Sequence, residues 1–106
     1  MTFELRTAAT STASIPAVEI RGDVDAANAA SLQAALADLA SPALIIDLSS
    51  VSYFDSAGFA LIDLLLSQAP LAVVIAPGSM LRTAAQLMNI PFHDTADDAR
   101  AALRPA

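Results

Sequence analysis

The sequence predicts an α/β fold in which helices pack on a mixed, mostly parallel β-sheet. Three observations support this prediction. The period of the apolar pattern changes repeatedly along the chain, two short segments are almost continuously apolar, and helix-capping residues follow the strand-like segments. With 106 residues the chain has the size of one ordinary domain, so we expect a single domain over residues 1–106.

The chain begins with a pattern typical of a β-hairpin. Residues 3–10 and 15–21 resemble short strands, and the Ser/Thr-rich stretch "ATSTAS" joins them. Gly22 then interrupts the strand pattern, and Asp25 is a candidate helix cap. We therefore expect two paired strands followed by a turn into the first helix.

A helix and a buried strand are predicted next. The stretch "NAASLQAALADLA" places Leu32, Leu36 and Leu39 on one helical stripe, which ends before Ser41 and Pro42. The run "ALIID" over residues 43–47 is apolar almost throughout, as a strand covered on both faces requires. This segment is the expected central parallel strand.

The second half of the chain repeats the alternation of helix and strand. We expect a loop through Tyr53 and a helix that starts at Ser56 and ends near Ser67. A buried strand is predicted for "LAVVIA", a third helix for "MLRTAAQLM" after a capping Ser79, and a fourth helix for "TADDARAAL". The predicted element order is ββαβαβαα.

Composition excludes several classes of function. The chain has 5 basic residues, all Arg, against 11 acidic ones, and its net charge is −6, so it is poorly equipped to neutralise nucleic-acid phosphates. The absence of Cys excludes disulfides and Cys-ligated zinc. No stretch approaches the roughly 20 apolar residues of a membrane span, and no secretory apolar run is present at the start. We expect a soluble cytoplasmic protein without membrane insertion.

Four polar residues are predicted to meet at one edge of the sheet. Asp23 and Asp25 follow the second strand, and the pair Asp55-Ser56 opens the second helix. Right-handed crossovers bring the helix N-termini of such a fold to one edge, where open α/β sheets hold their ligands. This edge is the predicted functional site.

The residues at this edge argue against catalysis by the chain itself. A nucleophilic serine needs a base, but "DSAG" is not the G-x-S-x-G elbow, and the only histidine is His93, expected near the last strand. Three loop carboxylates are a weak metal signal, because loop Asp residues commonly form turns and caps. We therefore predict no enzyme activity, no bound metal and no cofactor.

Ser56 can instead serve as a phosphate acceptor for a kinase acting in trans. Free N–H groups and the helix dipole tolerate a phosphate at a helix N-terminus. The added charge would repel an acidic partner surface and block close apolar contact without unfolding the chain. The alternative is that Asp55 or Ser56 is only a helix cap.

The stretch "LIIDLSSVSYFDSAGFALIDLL" closely resembles the signature of STAS domains, notably of the bacterial anti-sigma-factor antagonists. The similarity extends to "IRGDVDAANAASLQAAL" and to "APGSMLRTAAQLMNIPFHDTADDARAAL", so it covers essentially the whole chain. It implies a STAS fold with Ser56 as the phosphoacceptor. The Gly-acid-x-Asp turn of the family falls on Asp23 and Asp25. Ala57 stands where a second serine is common.

The resemblance also implies a function. The unphosphorylated chain would bind an anti-sigma factor of the GHKL ATPase type, and phosphorylation of Ser56 by that partner would end the binding, so that ATP belongs to the partner. The alternative within the family is a subunit of a lipid-transport ATPase complex, or another STAS signalling or scaffold module.

The second helix leaves two interpretations open. Its apolar residues extend around most of its circumference, so one sheet face cannot bury them all. Either the helix is wedged between the sheet and its neighbours, or Phe59 and Leu66 form an exposed patch beside Ser56 that docks the partner.

Overall fold

Nine helices and strands form the part of the chain that the computed structural model describes, which is residues 2–7, 15–39 and 43–103. Their order is β1 (Phe3–Thr7), β2 (Ala17–Val24), α1 (Ala29–Leu39), β3 (Leu44–Asp47), β4 (Val51–Phe54), α2 (Ser56–Gln68), β5 (Leu71–Val74), α3 (Leu81–Leu87) and α4 (Ala96–Leu103). The predicted "ATSTAS" connection lies outside the described residues. Every predicted helix and strand has a counterpart, and β4 is an additional strand.

The sheet is mixed and mostly parallel, as the sequence predicts. β1 pairs antiparallel with β2, and β2, β3 and β5 follow in parallel order. β4 also pairs parallel with β2, beyond the end of β3, so β2 supports two successive strands along the same side. The loop expected through Tyr53 was therefore wrong, since residues 51–54 form a strand.

Gly22 lies inside β2, although it was expected to interrupt the strand pattern. The pairing of β2 with β4 shifts between Gly22 and Asp23, which marks a β-bulge. Gly22 has φ +97°, and an added Cβ would stand 2.5 Å from the backbone oxygen of Thr2. Glycine is therefore suited to this position, where the strand bulges and continues to Val24.

The core lies on both faces of the sheet. Residues of β3 and β5 alternate between the faces, since Ile46 and Val73 belong to the larger cluster whereas Ile45 and Val74 belong to the smaller one. The larger cluster receives buried side chains from α1, α2 and α3, and the smaller one receives Ala99 of α4. Two-sided burial explains the nearly continuous apolar runs of β3 and β5.

Arg82 fastens the start of α3 to the end of β5. Its guanidinium donates hydrogen bonds to the carbonyl oxygens of Ile75 and Ala76, at 2.9 to 3.1 Å. It also pairs with Asp94 and lies 4.9 Å from the ring centroid of Phe92. A planar group with several donors is suited to these simultaneous contacts, which hold α3 in place beside the sheet.

Candidate functional site

The C-terminal ends of β2 and β4 form the edge that the sequence predicts as functional. In the register of the two strands Asp23 pairs with Tyr53 and Val24 with Phe54, and the Asp55 N–H donates to the Val24 carbonyl at 3.2 Å. Asp25 and Asp55 therefore follow neighbouring strand ends. The structure brings all four predicted polar residues, including Ser56, to one edge.

Asp55 is the cap of α2. Its backbone is extended, and its carboxylate Oδ1 accepts the N–H groups of Ala57 at 2.9 Å and Gly58 at 3.3 Å. These are two of the N–H groups that have no partner within the helix. A phosphate on Ser56 was expected to meet free N–H groups. The structure corrects this expectation, because Asp55 already occupies this pair.

Ser56 is the first residue of α2, and its side chain is exposed. Within the described part of the chain its hydroxyl makes no hydrogen bond, since the capping bonds go to Asp55. Of the two residues Asp55 and Ser56, Asp55 is therefore the helix cap. Ser56 is therefore an exposed residue whose hydroxyl makes none of the capping bonds of the helix.

Asp25 organises the turn that leads into α1. Its Oδ1 accepts the N–H groups of Ala27 at 2.9 Å and Asn28 at 3.2 Å. In return the Asn28 side chain accepts the Asp25 N–H and donates to the Asp23 carbonyl, both at 2.9 Å. The turn is thus held by reciprocal bonds, and it fixes the backbone of Asp23 beside the start of α2.

Phe59 does not form an exposed patch, so this expectation was wrong. Its side chain is only 3% exposed, and its ring meets Phe54 edge to face with centroids 4.8 Å apart. Gly58 makes this approach possible, because a Cβ there would stand 2.9 Å from the Phe54 ring. Leu66 is half-buried against the core. The wedged interpretation of α2 is correct, since the helix packs against α1 and the sheet.

Tyr53, which was expected in a loop, is an exposed aromatic residue on the strand that leads to Ser56. Its side chain is 46% exposed and stands on β4, next to the strand end that carries Asp55. The four-residue run "VSYF" combines β-branched and aromatic residues and was the available signal for this strand.

The described residues do not assemble a second kind of site at this edge. They contain no group of three or more His, Asp or Glu side chains arranged to hold a metal ion. His93 lies elsewhere, in a segment that bridges to Val74 of β5, where its N–H donates to the Val73 carbonyl at 2.8 Å. None of the described helices is long and apolar enough to cross a membrane.

The five-stranded mixed sheet, with Ser56 at the N-terminus of α2, is consistent with the predicted STAS fold. The family model described as "Mlab, STAS domain" matches residues 7–89, and the chain belongs to the STAS domain family. A search of curated protein sequences found no match.

Two solved structures share the fold. An anti-sigma factor antagonist from Mycobacterium paratuberculosis is 23% identical, with a TM-score of 0.73 and 96% of each chain covered. The anti-sigma factor antagonist SpoIIAA in its unphosphorylated form is 16% identical, with a TM-score of 0.64, 97% of this chain and 96% of that chain covered. The predicted STAS fold is therefore confirmed.

Proposed function

We propose that the chain is an anti-sigma-factor antagonist that binds an anti-sigma factor when Ser56 is unmodified and loses this binding when Ser56 is phosphorylated. One observation carries the proposal. Ser56 has an exposed hydroxyl that the fold does not use, at the mouth of a helix whose cap is its neighbour Asp55. Such a hydroxyl can be modified without removing a bond that stabilises the helix.

This proposal is supported by the solved structures that share the fold and by the polar edge of the sheet. Both solved structures are described as anti-sigma factor antagonists, and the name of one specifies an unphosphorylated form. In this chain Asp23 and Asp25 lie at the C-terminal end of β2, next to the end of β4 that leads into Ser56, so the proposed docking edge is acidic. The corresponding partner surface is basic, and it belongs to an anti-sigma factor of the GHKL ATPase type that supplies the kinase activity and the ATP.

Phosphorylation with the cognate GHKL anti-sigma factor and ATP is expected to add one phosphate, at Ser56. Ala57 leaves no acceptor directly after it, and Ser56 is the serine at the start of α2. Intact-mass measurement followed by peptide mapping checks the number and the position. Ser56→Ala is the control and should remain unmodified. Phosphate on Ser49, Ser50 or Ser52, with Ser56→Ala still modified, would overturn the assignment.

The chain alone is expected to hydrolyse neither ATP nor simple esters. The carboxylate next to Ser56 is that of Asp55. It accepts hydrogen bonds from backbone N–H groups of α2 and is not oriented as a base for the serine. Release of phosphate and of nitrophenol measures the two activities against a blank. Turnover that disappears in Ser56→Ala would show a catalytic serine and contradict the binding function.

A STAS subunit of a lipid-transport ATPase complex is the alternative function, and capture of the partner distinguishes the two. Affinity purification from the source cell with Ser56→Ala as bait should retrieve an anti-sigma factor. Retrieval of a transporter ATPase in its place would favour the alternative.

A further inference from the structure

A groove of about 450 Å³ opens beside the strand that leads to Ser56. One wall consists of β4, with Val51, Ser52, Tyr53 and Phe54. The other wall is the start of α3, with Met80 and Leu81. The groove therefore lies between a strand and a helix, next to the acidic edge and continuous with it through β4.

β4 has an open edge along this groove. Among the described strands it pairs only with β2, and the Asp55 N–H that follows it also donates to β2. Hydrogen-bonding groups alternate in direction along a strand, so the backbone groups of Ser52 and Phe54 point away from β2. They face the groove side, where a further strand can pair with them.

Exposed apolar side chains stand on both walls. Tyr53 is 46% exposed, and Met80 is 92% exposed. Aromatic residues and Met are enriched in protein interfaces, and a strand edge flanked by such groups is a recurrent site for the addition of an extended peptide. The groove thus offers backbone partners and apolar contacts together.

Charge specifies what kind of segment fits. The open edge ends at Asp55, and Asp23 and Asp25 lie on the neighbouring strand end. Each of the four described arginines is already ion-paired, with Glu4, Glu19, Asp94 and Asp97 as partners. A segment that carries Lys or Arg near this end complements the carboxylates, whereas an acidic segment is repelled.

We propose that an extended segment of the anti-sigma factor pairs with the open edge of β4, placing an apolar side chain in the groove and a basic side chain beside Asp55 and Ser56. This inference rests on the proposed function and adds the mode of binding. Because β4 leads directly into Ser56, a phosphate there lies at the end of the added strand. The groove and the switch serine are then parts of one interface.

Amide hydrogen exchange tests the strand pairing directly. The measurement compares the free chain with its complex with the purified cognate anti-sigma factor. The amides of Ser52 and Phe54 should exchange at least about tenfold more slowly in the complex, since they acquire hydrogen bonds. Gly78, in the turn before α3, is the control and should change little. Equal slowing at Gly78 would indicate general covering and overturn strand pairing.

Two matched substitutions test the groove. Met80→Gln removes an exposed apolar group from its wall, and Leu87→Gln makes the same kind of change at the other end of α3, where Leu87 is 80% exposed and does not line the groove. We expect Met80→Gln to weaken binding about five- to tenfold and Leu87→Gln to leave it unchanged. Equal effects would overturn the groove assignment.

The outcomes separate this inference from the proposed function. If the unmodified chain fails to bind the anti-sigma factor, the proposed function fails and the inference fails with it. If the chain binds and Ser56→Asp weakens the complex, but Ser52, Phe54 and Met80 respond as their controls do, only the inference fails. If the amides of Ser52 and Phe54 exchange more slowly at higher concentrations of the chain alone, the open edge of β4 pairs with a second copy of the chain. That result would overturn the inference.

Discussion

Phosphorylation of Ser56 is expected to weaken binding of the anti-sigma factor about 100-fold or more while leaving the fold intact. The phosphate adds about 1.5 to 2 negative charges at a position built for an exposed hydroxyl. Asp55 already takes the nearest pair of helix N–H groups, and the described arginines are paired elsewhere. The new charge is therefore presented to the partner rather than neutralised within the chain.

The four forms of residue 56 should differ in their affinity for the anti-sigma factor. Unmodified chain and Ser56→Ala should bind tightly, Ser56→Asp more weakly as a singly charged mimic, and phosphoserine most weakly. Calorimetric titration of the four forms measures the order. Ser67→Asp is the charge control, because Ser67 is exposed on the same helix but near its other end. It should bind like the unmodified chain.

Folding should respond weakly to the same modification. The helix dipole favours a phosphate at the start of α2, while competition with the Asp55 carboxylate for the N–H groups opposes it. We expect the free energy of unfolding to change by no more than about 1 kcal/mol and the far-UV spectrum to stay the same. If phosphorylation instead melts α2 and leaves affinity unchanged, Ser56 is a structural residue and the interface lies elsewhere.

Replacement of Gly22 is expected to destabilise the fold strongly. Gly22→Ala combines a backbone conformation at φ +97° with a Cβ only 2.5 Å from the Thr2 backbone oxygen. The clash is with backbone, so β1 must move to relieve it, and the Asp23 N–H that donates to the same oxygen at 2.8 Å must move as well. We expect a loss of about 2 to 4 kcal/mol in the free energy of unfolding.

Gly78→Ala is the matched control for this substitution. Gly78 also has a positive φ, +89°, but an added Cβ meets no atom within 4 Å. It should cost only about 1 kcal/mol, from the backbone conformation alone. Urea unfolding of both variants measures the difference. Equal losses would show that the contact with Thr2 does not constrain the bulge.

The sequence predicts the helices and most of the sheet because their residues repeat with a clear period. Leu32 and Leu36 on α1 are both fully buried, as the helical stripe requires. Ile45 and Ile46 on β3 are buried on opposite faces, which explains why that run lacks alternation. Because such patterns reflect which residues are buried, the elements that they predict are present in the structure.

Other features depend on contacts that local sequence does not show. β4 has only four residues, and its pairing with β2 decides that it is a strand. The bulge at Gly22 depends on Thr2, twenty residues earlier in the chain. The burial of Phe59 depends on Phe54, which the preceding strand supplies. The site is similar. The sequence offers both Asp55 and Ser56 as the cap of α2, and the structure shows that Asp55 makes the capping bonds.

The shared pairing of β2 has a consequence for how the chain tolerates changes in length. β3 and β4 are each aligned on β2 by their own hydrogen bonds. The turn between them is also held by its side chains, since the Ser49 hydroxyl accepts the Ala76 N–H at 2.8 Å and the Ser50 hydroxyl donates to Glu19 at 3.0 Å. An extra residue in that turn would disturb these side-chain bonds, while the pairing of β3 and β4 with β2 would still hold the register of each strand. The pairing of β4 with β2 therefore sets the position of Ser56, rather than its distance in sequence from β3.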